Sequence, residues 1–176
     1  MSARKILLVP GLNNSGPDHW QSHWERTLTN IERIHQRDYD TPICSEWGDT
    51  IQRAVERDGP DVVLVGHSSG AIAIPNWAKR FGTRIAGAML VGPSDVERPD
   101  FPYQITGFKP IALDLLPFPS IVVASSDDPY VSLERATFFA SNWGSKLVNI
   151  GPAGHINTQS GHGPWPEGIE ILKDLL

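Results

Sequence analysis

Gly66, His67, Ser68, Ser69 and Gly70 spell Gly-x-Ser-x-Gly. The apolar run 62–65 precedes them and the helix-compatible stretch 71–80 follows. A strand that turns sharply into a helix at such a motif lifts its serine hydroxyl clear of the strand end. Glycines at both outer positions suit a turn too tight for side chains. An ordinary strand-to-helix turn with a capping serine would look similar locally. The rest of the chain decides between the two readings.

A serine hydroxyl is a weak nucleophile and needs a base. Of the six histidines, His155 sits in the glycine-bearing loop 151–155 after the last apolar run. It is the candidate base. His67 adjoins the serine but faces elsewhere, so a packing or hydrogen-bonding role near the turn is expected. His162 is placed to support the His155 loop. His19, His23 and His35 fall on a helix face and a strand, where solvated or local roles are expected. No histidine pair has metal spacing with a third ligand, so no metal is expected.

An imidazole acting as base needs a carboxylate to hold its tautomer. Asp95, Asp127 and Asp128 qualify by chain order. Asp128 comes first, because Pro129 restricts its backbone and fixes the turn. Asp127 remains as a turn-stabilising neighbour. An oxyanion needs two backbone donors. The Ser69 amide is one, at a helix N-terminus where the dipole helps. The second is expected from the loop 10–16, with the Leu12 amide first and Asn13 next. Asn13, Asn14, Ser15 and Trp165 are candidate substrate-binding residues, although turn chemistry alone would explain Asn14 and Ser15.

The elements that must hold these groups alternate between short apolar runs and helical spacing. Strands are expected at 5–9, 31–36, 62–65, 84–91, 120–124 and 146–150. Helices are expected at 19–28, 49–57, 71–80, 133–143 and 167–176. Trp20 and Trp24, four residues apart, share a face that packs on the sheet. The proline-rich segment 94–119 reads as an irregular excursion with a short helical piece at 111–116. Buried strands alternating with helices imply an α/β fold, a three-layer doubly wound, mostly parallel sheet of about six strands without a large lid. Ligands in such sheets bind beyond the carboxyl ends of the strands. That rule gathers the loops after Val9, Val65, Val91, Ala124 and Ile150 around one crevice. Trp47, Phe101, Tyr103, Phe108, Tyr130 and Trp165 are aromatic candidates for its walls or for packing.

The chain of 176 residues is expected to form one domain, 1–176. Its net charge of -5 argues against a nucleic-acid surface. The single cysteine, Cys44, excludes an intrachain disulfide framework and reads as a small, partly buried side chain. No apolar run approaches the roughly 20 residues of a membrane span, and the short run 6–9 is no signal peptide. A cytoplasmic location without membrane contact is expected. The state is expected to be monomer or homodimer, with no protein partner indicated.

Pro10-Gly11 after the first strand, the motif at 66–70, Ser126-Asp127-Asp128-Pro129 and Gly154-His155 together resemble one group. It is the small serine hydrolases of the α/β-hydrolase superfamily that include YdeN-like proteins and retinoblastoma-binding protein 9. The resemblance runs from Ile6 to the C-terminal helix and extends to Trp20, Trp24, 40–47 and the Trp165-Pro166 region. It implies a triad on Ser68, Asp128 and His155, a compact fold and no cofactor. It implies no retinoblastoma-protein partner here. The expected activity is hydrolysis of a small or medium ester, thioester or amide through an acyl-enzyme. The rival reading is a low-turnover binding or regulatory module on the same scaffold. A flavin- or nucleotide-binding role is weak, because the first loop lacks Gly-x-Gly-x-x-Gly and no phosphate-binding Gly-Lys-Ser/Thr motif occurs.

Overall fold

The β-branched and aliphatic runs pair into one sheet, and the computed structural model describes residues 4–176 of it and its surroundings. Six strands form it: β1 (Lys5–Val9), β2 (Ile31–Arg33), β3 (Val62–His67), β4 (Gly87–Val91), β5 (Ser120–Ala124) and β6 (Lys146–Asn149). Their order is β2-β1-β3-β4-β5-β6, and every pairing is parallel. Among the described residues five α-helices accompany them: α1 (Trp20–Thr27), α2 (Cys44–Asp58), α3 (Ser69–Phe81), α4 (Leu133–Trp143) and α5 (Pro166–Leu172).

Period-two alternation divides the strand residues between two cores. Leu7, Val9, Leu64, Leu90 and Val122 point to the face covered by α2, α3 and α4. Ile6, Leu8, Val63, Val65, Met89 and Val123 point to the face covered by α1 and α5. Each buried aliphatic side chain contributes about 1.5–3 kcal/mol relative to exposure. Polar positions therefore collect at the strand ends and in the loops. After β2 the chain crosses back over β1 to β3. The order reverses between β1 and β3, where a crevice must open.

Several boundaries differ from expectation for physical reasons. β2 stops at Arg33, although the Ile34 amide still reaches the Leu8 carbonyl at 2.9 Å. It lies at the edge of the sheet, where its charged residues Glu32 and Arg33 are tolerated. β4 starts at Gly87, because Arg84–Ala86 form its approach. α2 begins five residues earlier than its spacing suggested. There Trp47 buries fully and donates its Nε1 hydrogen to the Asp38 carbonyl at 3.0 Å, which outweighs the helix-weakening Gly48. No helix forms over 111–116. The Ile111 amide goes to Glu97 Oε1 at 2.9 Å, Ala112 to Asn76 Oδ1 at 2.8 Å, and Leu116 to the Trp143 carbonyl at 3.1 Å. These tertiary acceptors replace the helical ones. The C-terminal helix tightens into a 3-10 turn at Lys173–Leu175. Among the described residues no helix is long and apolar enough to cross a membrane.

Candidate active site

Ser68 stands between β3 and α3 at φ 57°, ψ −125°, a conformation that non-glycine residues rarely adopt. Packing enforces it. A Cβ on Gly70 would lie 2.2 Å from the Val9 carbonyl oxygen, so the helix start presses against the end of β1. The Ser68 amide is tied to the Val91 carbonyl at 3.0 Å. The hydroxyl is left partly exposed above the sheet at the switch point.

His155 comes to it from the loop after β6. Its Nε2 lies 3.0 Å from Ser68 Oγ. On the other side Nδ1 lies 3.0 and 2.9 Å from the two Asp128 oxygens. The Asp128 side chain is fully buried and also accepts the Tyr130 amide at 2.8 Å. A carboxylate can only accept, so Nδ1 carries the proton and the Nε2 lone pair faces Ser68. That arrangement can take a proton from the hydroxyl as it attacks a carbonyl.

The histidine loop is held in place by several groups. His67 donates from Nε2 to the His155 carbonyl at 2.9 Å, as befits the packing role foreseen for it. Burial keeps the His67 ring neutral, far below the usual histidine range. Trp20 donates its indole hydrogen to the Ile156 carbonyl at 2.9 Å, and Trp24 does so to Pro164 at 3.0 Å. Ile156 itself adopts φ 49°, strained for a β-branched residue and maintained by these contacts. His162 bonds Ser160 Oγ at 3.1 Å within the same loop.

Asp127 takes a different part from Asp128. Its Oδ1 accepts the Ser125 hydroxyl and the Gly154 amide, each at 2.7 Å, and these bonds hold its carboxyl below the usual range. It therefore ties the acid loop to the histidine loop. Asp95 pairs with Arg135 and does not reach His155.

The loop after β1 closes the site from the other side. A Cβ on Gly11 would stand 2.8 Å from Ser68 Cβ, so only glycine permits this approach. The Leu12 amide is not an open donor here. It bonds Ser69 Oγ at 3.1 Å and so links the first loop to the start of α3. Asn13 and Asn14, both at φ 60°, line a cleft of about 260 Å³ with Ser68 and His155. Phe101, Tyr103 and Tyr130 form its aromatic wall. Trp165 is a correction. It is 5% exposed, stacks on Trp24 at 5.7 Å between centroids, and belongs to the α1/α5 core. Trp47 and Phe108 likewise pack in the other core.

Ser94 and His19 are among the cleft residues that were not anticipated. Ser94, 1% exposed, places its Oγ 3.0 Å from Ser68 Oγ. The crevice rule pointed to its loop after β4 without singling out a residue. His19, expected in a solvated or local role, is buried and lines the cleft. Its N-cap position before α1 was the available signal. Among the described residues no cluster of three or more His, Cys, Asp or Glu could hold a metal ion. Cys44 is buried, and burial pushes its thiol up, away from reactivity.

A family model described as serine hydrolase matches residues 6–174. A protein described as a YdeN-like hydrolase from Pectobacterium atrosepticum is 37% identical and superposes with a TM-score of 0.85, covering 97% of this chain and 89% of that one. The ydeN gene product of B. subtilis is 19% identical, with a TM-score of 0.82 and 98% of both chains covered. Carboxylesterase CesB of Bacillus subtilis, 13% identical, shares the fold at a TM-score of 0.67, over 99% of this chain and 84% of its own. No curated protein sequence matches the chain.

Proposed function

The chain belongs to the serine hydrolase family, and from that membership we propose that it cleaves small or medium esters through an acyl-enzyme on Ser68. The observation that carries this reading is the unbroken chain from Ser68 Oγ to His155 Nε2 at 3.0 Å and from His155 Nδ1 to Asp128 at 2.9 Å. His155 takes the Ser68 proton as the oxygen attacks the acyl carbon. The same proton goes to the departing alkoxide. Water then enters, loses its proton to His155 and releases the acid, and Ser68 regains its hydrogen. Asp128 holds the imidazolium throughout.

The negative oxygen of the tetrahedral intermediate is assigned to the Ser69 and Leu12 amides. For Leu12 this requires its bond to Ser69 Oγ to be shared or given up as the oxyanion forms. The cleft is walled by Phe101, Tyr103 and Tyr130, which offer an apolar surface to an acyl chain. An ester or thioester is favoured over an amide because its leaving group departs more readily.

The test is kcat/KM on 4-nitrophenyl esters of increasing chain length. Ser68→Ala, His155→Ala and Asp128→Asn should each lower it by about 10³-fold or more, and not additively. Undiminished turnover by Ser68→Ala would remove the proposal. A wild type inert towards every ester would favour a binding role for the same scaffold.

A further inference from the structure

His19 and Asn14 both line the cleft and have no part in the acyl transfer described above. His19 Nδ1 accepts the Gln21 amide at 3.2 Å, so that nitrogen carries no proton. Burial first, and then the Arg33 charge, push the ring down to about 3, so it is neutral at working pH. A neutral ring with a bare Nδ1 must hold its hydrogen on Nε2. Among the described residues no group accepts that hydrogen, although the residue is only 6% exposed.

Asn14 presents the same polarity. Its Oδ1 receives the Ser15 amide at 2.7 Å and Arg33 Nη1 at 3.0 Å. Two donors converging on one atom fix which end of the amide is oxygen. Its Nδ2 hydrogens have no partner among the described residues. Arg33 cannot turn away to release it. Arg33 is 7% exposed and also bonds the Ser15 carbonyl at 2.8 Å, Ser22 Oγ at 2.6 Å and Glu25 at 2.9 Å. His19 and Asn14 therefore each present a donor to the cleft, and behind Asn14 lies the guanidinium of Arg33, paired with Glu25. These donors are also close to the chemistry, because His19 and Asn14 line the same cleft as Ser68 and His155.

We propose that His19 and Asn14 form a subsite for an acceptor oxygen on the acyl chain, a ketone or carboxylate oxygen a few bonds from the scissile carbonyl. The enzyme then selects oxo-acyl or dicarboxylic monoacyl esters over plain alkyl ones. The proposal rests on the acyl-transfer reading of Ser68.

Three methyl esters of similar length test it by titrating released acid: methyl pentanoate, methyl 4-oxopentanoate and monomethyl succinate. At least one oxygenated ester should exceed methyl pentanoate by about tenfold in kcat/KM, the discrimination of one good hydrogen bond. An advantage for the ketone alone identifies a neutral acceptor, and one for succinate alone identifies a carboxylate. Asn14→Asp keeps the oxygen held by Ser15 and Arg33 and exchanges the donor for an acceptor. His19→Asn keeps a capping oxygen while withdrawing the ring. Either change should bring the ratio towards one. In parallel, the wild type is treated with a fluorophosphonate. Labelling at Ser68 with the three esters cleaved equally, or not at all, overturns the subsite alone. So does an advantage that survives either substitution. Absence of labelling overturns the acyl-transfer reading and the subsite with it.

Discussion

Acidification should destabilise this fold well above the range where carboxylates titrate. The perturbation is a change from about pH 8 to about pH 5. His19 moves from an ordinary 6.5 in the unfolded chain to about 3 in the folded one, chiefly through burial. Its folded pKa is depressed, so between those values the unfolded chain binds a proton that the native state refuses. Stability is complete above 6.5 and falls as pH drops towards 3. At about pH 5 the loss is 1.5 units below 6.5, or about 2 kcal/mol at ~1.36 kcal/mol per unit. His67, fully buried and also depressed, adds to it in the same direction, as does His162 more weakly. The paired carboxylates Glu32 and Asp58 are depressed from 4.5 and 3.8, so their contribution is still largely present at this pH. A loss of 2 kcal/mol or more is large against the ~5–15 kcal/mol of a typical domain. Urea unfolding at several pH values measures it directly. His19→Asn should remove about 2 kcal/mol of the pH dependence. A stability that is flat from about pH 8 to about pH 5, or a variant that keeps the full dependence, would refute the reasoning.

Other expectations follow from single contacts. Ser94→Ala removes the hydroxyl 3.0 Å from Ser68 Oγ and should lower kcat/KM about five- to tenfold. Unchanged kinetics would make Ser94 a bystander. Gly70→Ala forces a Cβ to 2.2 Å from the Val9 carbonyl oxygen, which should cost about 3 kcal/mol or more. A thermally unaltered variant would contradict that packing. Trp165→Ala opens the α1/α5 core and should cost about 3–5 kcal/mol by urea unfolding. KM for short esters should not change, and a large rise in KM would return Trp165 to the substrate.

The legible parts of the sequence were those where one constraint dominates. The sheet runs could be read because both faces are buried and the strands are almost uniformly aliphatic. The elbow could be read because its close approaches demand glycine at fixed spacing. Asp128 was separated from Asp127 by the following proline, and the structure gives the two different partners. What escaped depended on distant atoms. The stretch 111–116 has helical spacing, but Glu97, Asn76 and Trp143 capture its amides from elsewhere in the chain. Ser94 gains meaning only from its distance to Ser68. His19 was read as solvated or locally bonded, because nothing nearby in sequence shows that Trp20 and His67 enclose it. Trp165 lies close in sequence to the histidine loop, yet its large apolar ring goes to the tryptophan cluster of the core.

The central claim is that Ser68 is an activated nucleophile, and labelling with a fluorophosphonate followed by peptide mass spectrometry tests it most directly. The account predicts a single adduct on Ser68, abolished in Ser68→Ala and strongly slowed in His155→Ala. Folded wild-type protein that takes no label, or takes it on another residue, would contradict the account.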